Sequence, residues 1–284
     1  MKGELCVNLQ SDLTESISDQ IPVIRSAGFY GIFFDWDRNL DAEKIAVSAA
    51  KNGLFLQSIH APFYGMDDIF YDRLGEKAGR MTEDIKSTID DCVNFGVDLV
   101  VCHAIIGMDN HEVTSLGLDR IGEIIDYAVK NEINIAFENT EGLEFLDAVF
   151  SRFGEIDGVG FCFDSGHMLC YNKGEDVLKK YGKYLFCTHL NDNLGQTEKE
   201  INFCDDNHKL PFDGVADWNK IADELAELKF SEPLTFEFVK KNRPARHTND
   251  VYEAMSFHDY IFEAYRHAKR FSDMFEEKLG KNVY

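Results

Sequence analysis

The chain has 284 residues, of which 44% are hydrophobic and only five are prolines, a composition that excludes an intrinsically disordered protein. Its 51 acidic and 29 basic residues give a formal net charge of −22, which opposes long-range attraction to nucleic acids and anionic membranes. No segment approaches the roughly 20 consecutive apolar residues that a membrane helix needs. The N-terminus reaches Glu4 before any apolar stretch, and the seven cysteines lack C-x-x-C spacing. We therefore expect a cytoplasmic protein without a signal peptide.

Short apolar runs that are typical of strands alternate along the chain with amphipathic segments that are typical of helices. The predicted strands are Leu5–Leu9, Gly31–Trp36, Leu54–Pro62, Leu99–Ala104, Ile133–Glu138, Val159–Asp164, Leu185–Leu190 and Leu234–Phe238. The predicted helices are Ser18–Ala27, Ala42–Asn52, Arg80–Phe95, Leu118–Asn131, Gly142–Phe153, Glu175–Tyr181, Trp218–Lys229 and Val251–Met274. Eight strands alternating with eight helices predict βαβ units and a parallel sheet.

Two architectures fit this alternation, a closed barrel and an open doubly wound sheet. The open sheet usually has a glycine-rich phosphate-binding turn after its first strand. Here the first strand continues into Asn8, Leu9 and Gln10 without such a turn. A barrel of this kind typically has roughly 250 residues, and no Pro/Gly/Ser-rich linker divides the chain. We therefore predict an α/β fold, a single (β/α)8 TIM barrel formed by residues 1–284 as one domain.

Ionisable side chains recur where the predicted strands end. In a barrel, the C-terminal ends of all strands meet at one mouth. Six consecutive strands end in His60, His103, Glu138, Asp164, His189 and Glu237. One such residue is ordinarily a hydrogen-bonded structural histidine or a helix-capping carboxylate. Several carboxylates at equivalent positions would repel each other and resist desolvation unless a cation joined them. The sequence therefore predicts a divalent metal, and two Glu, one Asp and a His suit Mn, Mg, Co or Zn.

A second set of polar residues follows these strand ends. His167 lies three residues after Asp164, which we place at the start of the next loop and directed toward the mouth. Asp206 and His208 form an Asp-x-His pair in the long loop 191–217, unless that loop is simply polar. Asp192 and Asn193 are expected to cap a helix or to support a metal ligand. His111, His258 and His267 fall in helical or loop patterns, and we expect them to be structural.

The segment 240–246 is the one basic cluster in this acidic chain, and it directly follows strand eight. The loop at this position often binds phosphate in barrels. Arg243 and Arg246 are therefore candidates for binding a substrate phosphate or carboxylate, although a solvated loop explains the pattern as well. Four aromatic residues on mouth loops are either apolar walls for a sugar or ordinary loop anchors: Trp36, Phe63, Tyr64 and Phe212.

These residues together resemble the xylose-isomerase-like barrel superfamily, which contains sugar isomerases and epimerases, inosose dehydratases and apurinic endonucleases of the endonuclease IV type. The resemblance extends from His60 to Glu237 and is carried by HAPF, FENTEG, FDSGHM, THLNDN, DDNHKLPFDGVADW and the Glu of TFEF. In the ketose epimerases, it implies a metal held by Glu138, Asp164, His189 and Glu237. In the apurinic endonucleases, residues matching His60, His103, Asp206 and His208 join these to hold three zinc ions.

The chain departs from the endonucleases in its first strand, LCVNLQ, where they have a Gly-Ala-His-Val-like strand. It departs from other isomerase-like members at Phe212, where they have the glycine of a Leu-Pro-Gly motif. The resemblance therefore favours an isomerase or epimerase that moves a proton of a small sugar or sugar phosphate through an enediolate.

In that hypothesis Glu138 and Glu237 are base and acid, His167 orients a substrate hydroxyl, and His60 and His103 contact the substrate. The alternatives are a trinuclear-zinc phosphodiesterase, an inosose-type dehydratase using the same metal, and a sugar-binding protein without activity. We expect a sugar partner and neither nucleic acid nor membrane, and the sequence leaves a homo-oligomer open.

Overall fold

The computed structural model describes residues 3–106 and 112–281 of the chain. Eight parallel strands form one sheet in the order β7-β6-β5-β4-β3-β2-β1-β8. A parallel bridge between Leu190 and Phe236 joins the two edges, so the sheet is a nearly closed barrel. The strands are β1 Leu5–Asn8, β2 Gly31–Asp35, β3 Phe55–His60, β4 Leu99–His103, β5 Asn134–Glu138, β6 Val159–Asp164, β7 Leu185–His189 and β8 Leu234–Phe236.

Helices follow the strands and cover the outside of the barrel. Several begin at a side chain that accepts a backbone N–H of the first turn, as Ser16, Asp41 and Asp217 do. The helices are α1 Ile17–Ala27, α2 Ala42–Lys51, α3 Met66–Tyr71, α4 Glu76–Phe95, α5 Ser115–Lys130, α6 Leu143–Phe153, α7 Ser165–Cys170, α8 Val177–Tyr181, α9 Trp218–Glu227, α10 Asp250–Glu253 and α11 Phe257–Lys281. Across residues 3–106 and 112–281, no helix is long and apolar enough to span a membrane.

The predicted (β/α)8 barrel and all eight predicted strands are confirmed, with small differences at their ends. The predicted helix Val251–Met274 is wrong as a single element, because the side chain of Ser256 caps a new helix by accepting the Asp259 N–H at 3.1 Å. The placement of His167 at the start of a loop is also wrong, since Asp164 caps α7 and His167 lies within that helix. Glu237 directly follows β8, which ends at Phe236.

The core has two parts. A large apolar cluster fills the space between the strands and the helices. A small one fills the inside of the barrel with Leu99, Val101, Ala136, Cys162 and Cys187. Toward the C-terminal ends of the strands, the Phe33 ring stacks on the His189 imidazole at 4.5 Å between centroids. The interior therefore changes from apolar to ionisable side chains as it approaches the mouth.

Candidate metal centre and active site

Four side chains from consecutive strand ends converge at the mouth of the barrel. The ligand atoms of Glu138, Asp164, His189 and Glu237 all lie within 4.8 Å of one another. The His189 Nδ1 atom is 3.0 Å from one oxygen of Glu138 and 3.0 Å from one oxygen of Glu237. Three of these side chains are fully buried, and Glu237 is 19% exposed. The structure thus brings together the four ligands that the resemblance implies.

The hydrogen bonding of these four residues fits a bound cation. Within the described ranges, both carboxylate oxygens of Glu138 and both ring nitrogens of His189 are buried without a hydrogen-bond partner. The short distances between them lack the alignment of hydrogen bonds, as expected for atoms directed at a shared centre. Buried unpaired polar groups cost roughly 1–3 kcal/mol each, and more when charged. A divalent metal held by two Glu, one Asp and one His removes that cost.

The electrostatics of the cluster also calls for a cation. Burial opposes the charged form of Glu138, but His189, His167 and His60 hold its pKa well below the usual range. Burial alone would lower the pKa of His189, yet Glu138 and Glu237 raise it well above its ordinary value. Burial raises the pKa of Asp164 to about 7. In this arrangement the proton on His189 balances the charged carboxylates of Glu138 and Glu237, and a proton is also held on Asp164. A metal ion would displace these protons.

Neutral groups around Asp164 hold its carboxylate in place. One oxygen accepts the His167 backbone N–H at 2.6 Å, and the other accepts the Asn191 side-chain amide at 2.8 Å. The Asn139 side chain accepts the Asp164 backbone N–H at 2.8 Å. Gly166 leaves room for this network, because a Cβ atom there would lie 1.9 Å from the Asn191 Oδ1 atom. The orientation of Asp164 therefore depends on hydrogen bonds to neutral groups, one backbone N–H and two side-chain amides.

His60 and His103 form a second cluster with Glu138. Their Nε2 atoms lie 3.4 and 3.9 Å from the same Glu138 oxygen. The His60 Nδ1–H donates to the Ala61 carbonyl at 2.7 Å, which leaves Nε2 free to face the mouth. Burial lowers the pKa of His103 to about 3, so its imidazole is neutral. Phe63 stacks on His103 at 4.9 Å and forms an apolar wall beside both histidines.

His167, Asp206 and His208 form a third cluster. The Asp206 carboxylate lies 2.9 Å from the His208 Nε2 atom and 3.6 Å from the His167 Nε2 atom. It also accepts a guanidinium N–H of Arg243 at 3.0 Å, and Arg243 donates a second N–H to the Asp206 carbonyl. This cluster differs from the other two because it already contains a permanent cation.

Asp192 organises the loop that carries Asp206 and His208. Its carboxylate accepts the Trp218 indole N–H at 2.8 Å and the backbone N–H groups of Phe212 and Ala216 at 3.0 Å each. Its backbone pairs with that of Lys209 in both directions at 2.8 Å. Asp192 therefore supports residues of the site rather than binding a ligand itself, as the sequence led us to expect.

Sequence reasoning missed one carboxylate of the mouth, Asp35. It is the last residue of β2 and the register partner of His60. The residue is exposed to solvent, but partial desolvation raises the pKa of its carboxyl to about 6. The strand-end rule applies to it as well, but the predicted strand Gly31–Trp36 ends one residue later than β2 does.

Comparison with known proteins places this barrel in a family. The family model described as "Xylose isomerase-like TIM barrel" matches residues 21–257. The chain belongs to this family. An uncharacterised protein of Sinorhizobium fredii, y4fM, is 32% identical over 167 residues, covering 54% of this chain and 51% of that one. The chain thus matches about half the length of that curated relative.

Several solved structures share the fold of this xylose isomerase-like barrel. The IOLI protein with a bound zinc atom has a TM-score of 0.71 and 20% identity, covering 97% of this chain and 99% of that one. L-ribulose 3-epimerase has a TM-score of 0.70 and 18% identity, covering 100% and 97%. The E. coli 3-keto-D-glucoside 4-epimerase YcjR has a TM-score of 0.63 and 16% identity, covering 87% and 96%. Proteins of the same fold thus include sugar epimerases and a zinc-bound protein.

Three other residues that the sequence singled out lie outside the three clusters of this xylose isomerase-like barrel. The Arg246 guanidinium contacts the Asp205 carboxylate and the Thr197 hydroxyl at 3.3 Å each, outside the three clusters. Trp36 donates its indole N–H to Asp91 at 2.7 Å, and Phe212 packs beneath the Arg270 guanidinium at 3.8 Å. Both aromatic rings are thus held as loop anchors.

Two further observations complete the comparison with the sequence. The Tyr64 side chain is 83% exposed beside Phe63. His111, which we expected to be structural, lies outside the described residues.

Proposed function

We propose that this chain is a divalent-metal-dependent isomerase or epimerase of a small sugar or sugar phosphate. The observation that carries the proposal is the meeting of Glu138 and Glu237 at His189, with Asp164 completing the set. β5 and β8 are not neighbours in the barrel, so the two glutamates enter the mouth from different sides. A substrate carbon held between them would be accessible to a carboxylate from two directions.

The bound metal would polarise a carbonyl and an adjacent hydroxyl and so acidify the C–H bond between them. His189 and His208 outweigh burial and lower the pKa of Glu237 to about 2, and the pKa of Glu138 is also low. Both carboxylates are therefore charged at neutral pH and can accept a proton from carbon. When one glutamate removes the proton and the other returns it through an enediolate, the configuration at that carbon changes.

The histidines around this pair would position the sugar. His167 holds its Nδ1–H on the Asn139 carbonyl at 3.1 Å. Asp164, Asp206 and Glu138 outweigh burial and raise the pKa of His167 well above its ordinary value, so Nε2 also carries a hydrogen that it can donate to a substrate hydroxyl. His103 is neutral, and its Nδ1 atom has no hydrogen-bond partner in the described part of the chain. We assign His60 and His103 to substrate contact beside the Phe63 ring. Two proteins of similar structure are sugar epimerases, which supports the proposed activity.

The test is solvent exchange in D2O. Protein loaded with Mn, Co, Mg or Zn is incubated with ketoses and inososes, and NMR follows deuterium incorporation and identifies the product. We expect exchange in the wild type and none in Glu138→Gln or Glu237→Gln, while the exposed Glu232→Gln serves as a control. Metal is counted in each variant, because both glutamates are also predicted ligands. Exchange that persists in both variants, or no exchange with any sugar, contradicts the proposal.

A second candidate function is supported by the two additional clusters. His60 with His103, and Asp206 with His167 and His208, would provide ligands for further metal ions, as in a trinuclear-zinc phosphodiesterase. The measurement is elemental analysis of protein purified without chelator. About one metal ion per chain favours the isomerase, whereas about three zinc ions with cleavage of abasic-site DNA at low salt favour the phosphodiesterase. The Arg243 guanidinium already donates to Asp206, which favours a count of about one metal ion per chain.

A further inference from the structure

Asp35 points into the mouth of the barrel. Side chains alternate between the two faces of a strand. On β2, Ile32 and Phe34 pack into the apolar core between strands and helices, whereas the Phe33 ring stacks on His189 inside the barrel. Asp35 shares the face of Phe33 and lies one step closer to the mouth. Its carboxylate is consequently on the inner rim, on the side of β3 and His60.

The protein itself does not use this carboxylate. Within residues 3–106 and 112–281, the Asp35 side chain makes neither a hydrogen bond nor an ion pair. His60, its register partner, directs Nδ1–H to the Ala61 carbonyl and Nε2 toward Glu138. A structural carboxylate at a strand end would normally cap a helix or pair with a base. Asp35 instead keeps its acceptor capacity available and is exposed to solvent at the rim of the mouth.

We propose that Asp35 is a specificity-determining residue, which accepts hydrogen bonds from the hydroxyl groups of an uncharged sugar and rejects sugar phosphates. This inference rests on the proposed isomerase or epimerase function. An ionised carboxylate has two oxygens and about four acceptor sites, so it can bind two neighbouring hydroxyl groups at once. Such hydroxyl pairs are characteristic of a polyhydroxylated substrate.

The basic residues of the mouth do not offset the negative charge that a phosphate would meet there. Arg243 and Arg246 are each paired with an aspartate. Lys240 and Lys241 each donate their Nζ–H groups to a backbone carbonyl. The cluster expected to bind phosphate is thus engaged by the protein, while Asp35 adds a charge of the same sign as the phosphate. Like charges at short range repel each other.

The experiment compares Asp35→Asn and Asp35→Ala with Asp37→Asn. Asp37 is an exposed aspartate two residues away whose carboxylate caps the Asn39 backbone N–H at 2.9 Å. The probes are D-fructose, D-tagatose and L-ribulose, together with D-fructose 6-phosphate. For each variant, metal content is measured by elemental analysis, sugar binding to the Mn-loaded protein by calorimetry, and kcat and KM by steady-state kinetics.

We expect Asp35→Asn to raise KM and Kd for the preferred neutral ketose by about 10- to 100-fold, since a hydrogen bond to a charged group is lost. The metal content and kcat should stay close to wild type, and the preference for neutral over phosphorylated sugar should fall by at least about tenfold. Asp37→Asn should match wild type in every measurement. Unchanged KM and unchanged discrimination in both Asp35 variants would overturn the inference, as would a wild-type preference for the phosphate.

The result also separates this inference from the function on which it rests. A wild-type protein that binds a neutral ketose but never exchanges its protons refutes the isomerase proposal alone. Asp35 is then upheld if Asp35→Asn weakens that binding and overturned if it does not. A protein that binds none of these sugars refutes both.

Discussion

Gly166 is the position where a single methyl group should do most damage to the metal centre. It lies in α7, between Asp164, a proposed metal ligand, and His167. A Cβ atom at this position would lie 1.9 Å from the Asn191 Oδ1 atom and 2.8 Å from its Cγ atom. The same Asn191 side chain donates to the Asp164 carboxylate at 2.8 Å. Gly166→Ala must therefore displace the amide that orients this proposed ligand.

The expected magnitude follows from these distances. To reach ordinary contact, the Asn191 amide must move by roughly 1.5 Å, in a region where overpacking typically costs 1–3 kcal/mol. The lost hydrogen bond to Asp164 adds about 1.5–3 kcal/mol. We expect a decrease of about 3–5 kcal/mol in the free energy of unfolding. Loss of a group that supports a metal ligand typically weakens metal affinity by about 10- to 100-fold.

Urea denaturation and competition with a chelator measure the two effects. Gly79→Ala is the matched control, because a Cβ atom on this exposed helical glycine has no heavy atom within 4 Å. It should stabilise the protein by about 0.5–1 kcal/mol. Asn191→Ala removes the obstructing amide, so the double variant with Gly166→Ala should be no less stable than Asn191→Ala alone. Our reasoning is wrong if Gly166→Ala behaves like Gly79→Ala, or if the double variant shows additive losses.

Three further predictions use other features of the structure. Metal affinity should rise by about tenfold per pH unit for each displaced proton; Asp164, with its pKa raised to about 7, contributes up to about pH 7, and His189, with its pKa raised well above its ordinary value, still contributes above that. An affinity independent of pH in chelator titrations would contradict this. Lys229, exposed after α9, has a left-handed φ of 55°, so Lys229→Gly should stabilise the protein by about 0.5–1 kcal/mol in urea denaturation. Arg243→Met should free the Asp206 carboxylate and add about one zinc ion per chain in excess zinc, by elemental analysis; an unchanged count would show that Arg243 does not keep metal from this cluster.

The barrel was predictable because its strands are short, apolar and buried on both faces, and because helices separate them. Eight such runs leave few parallel arrangements other than a closed sheet. The six-residue helix α3 was missed, since Met66–Tyr71 is too short to display a helical period. The division between α10 and α11 was missed for a related reason. Helical periodicity continues through Ser256, and only the capping hydrogen bond to Asp259 reveals the new helix.

The site was only partly predictable, because strand ends indicate which side chains meet but not how they bond. The rule found Glu138, Asp164 and His189 since each follows an apolar run directly. The supporting amide of Asn191 has no charge and no period, so only the structure shows its contact with Asp164. The pairing of Arg243 with Asp206 joins residues 37 positions apart in different loops. Contacts of that kind depend on loop conformation, which local patterns do not specify.

Charge balance connects the metal, the substrate and the acidic mouth. Glu138 and Glu237 meet at His189, and both oxygens of the buried Glu138 lack a hydrogen-bond partner in the described part of the chain, which favours the proposed cation between them. A metal ion at that point neutralises the inner carboxylates, but Asp35 on the rim remains charged and unpaired. A phosphorylated sugar would add negative charge to a mouth that already has an excess of carboxylates. A neutral sugar would instead donate hydroxyl hydrogens to the carboxylates that do not bind the metal. The acidic mouth that favours a bound metal therefore also favours an uncharged substrate. Metal analysis tests the first inference, and the comparison of neutral with phosphorylated sugars in the Asp35 variants tests the second.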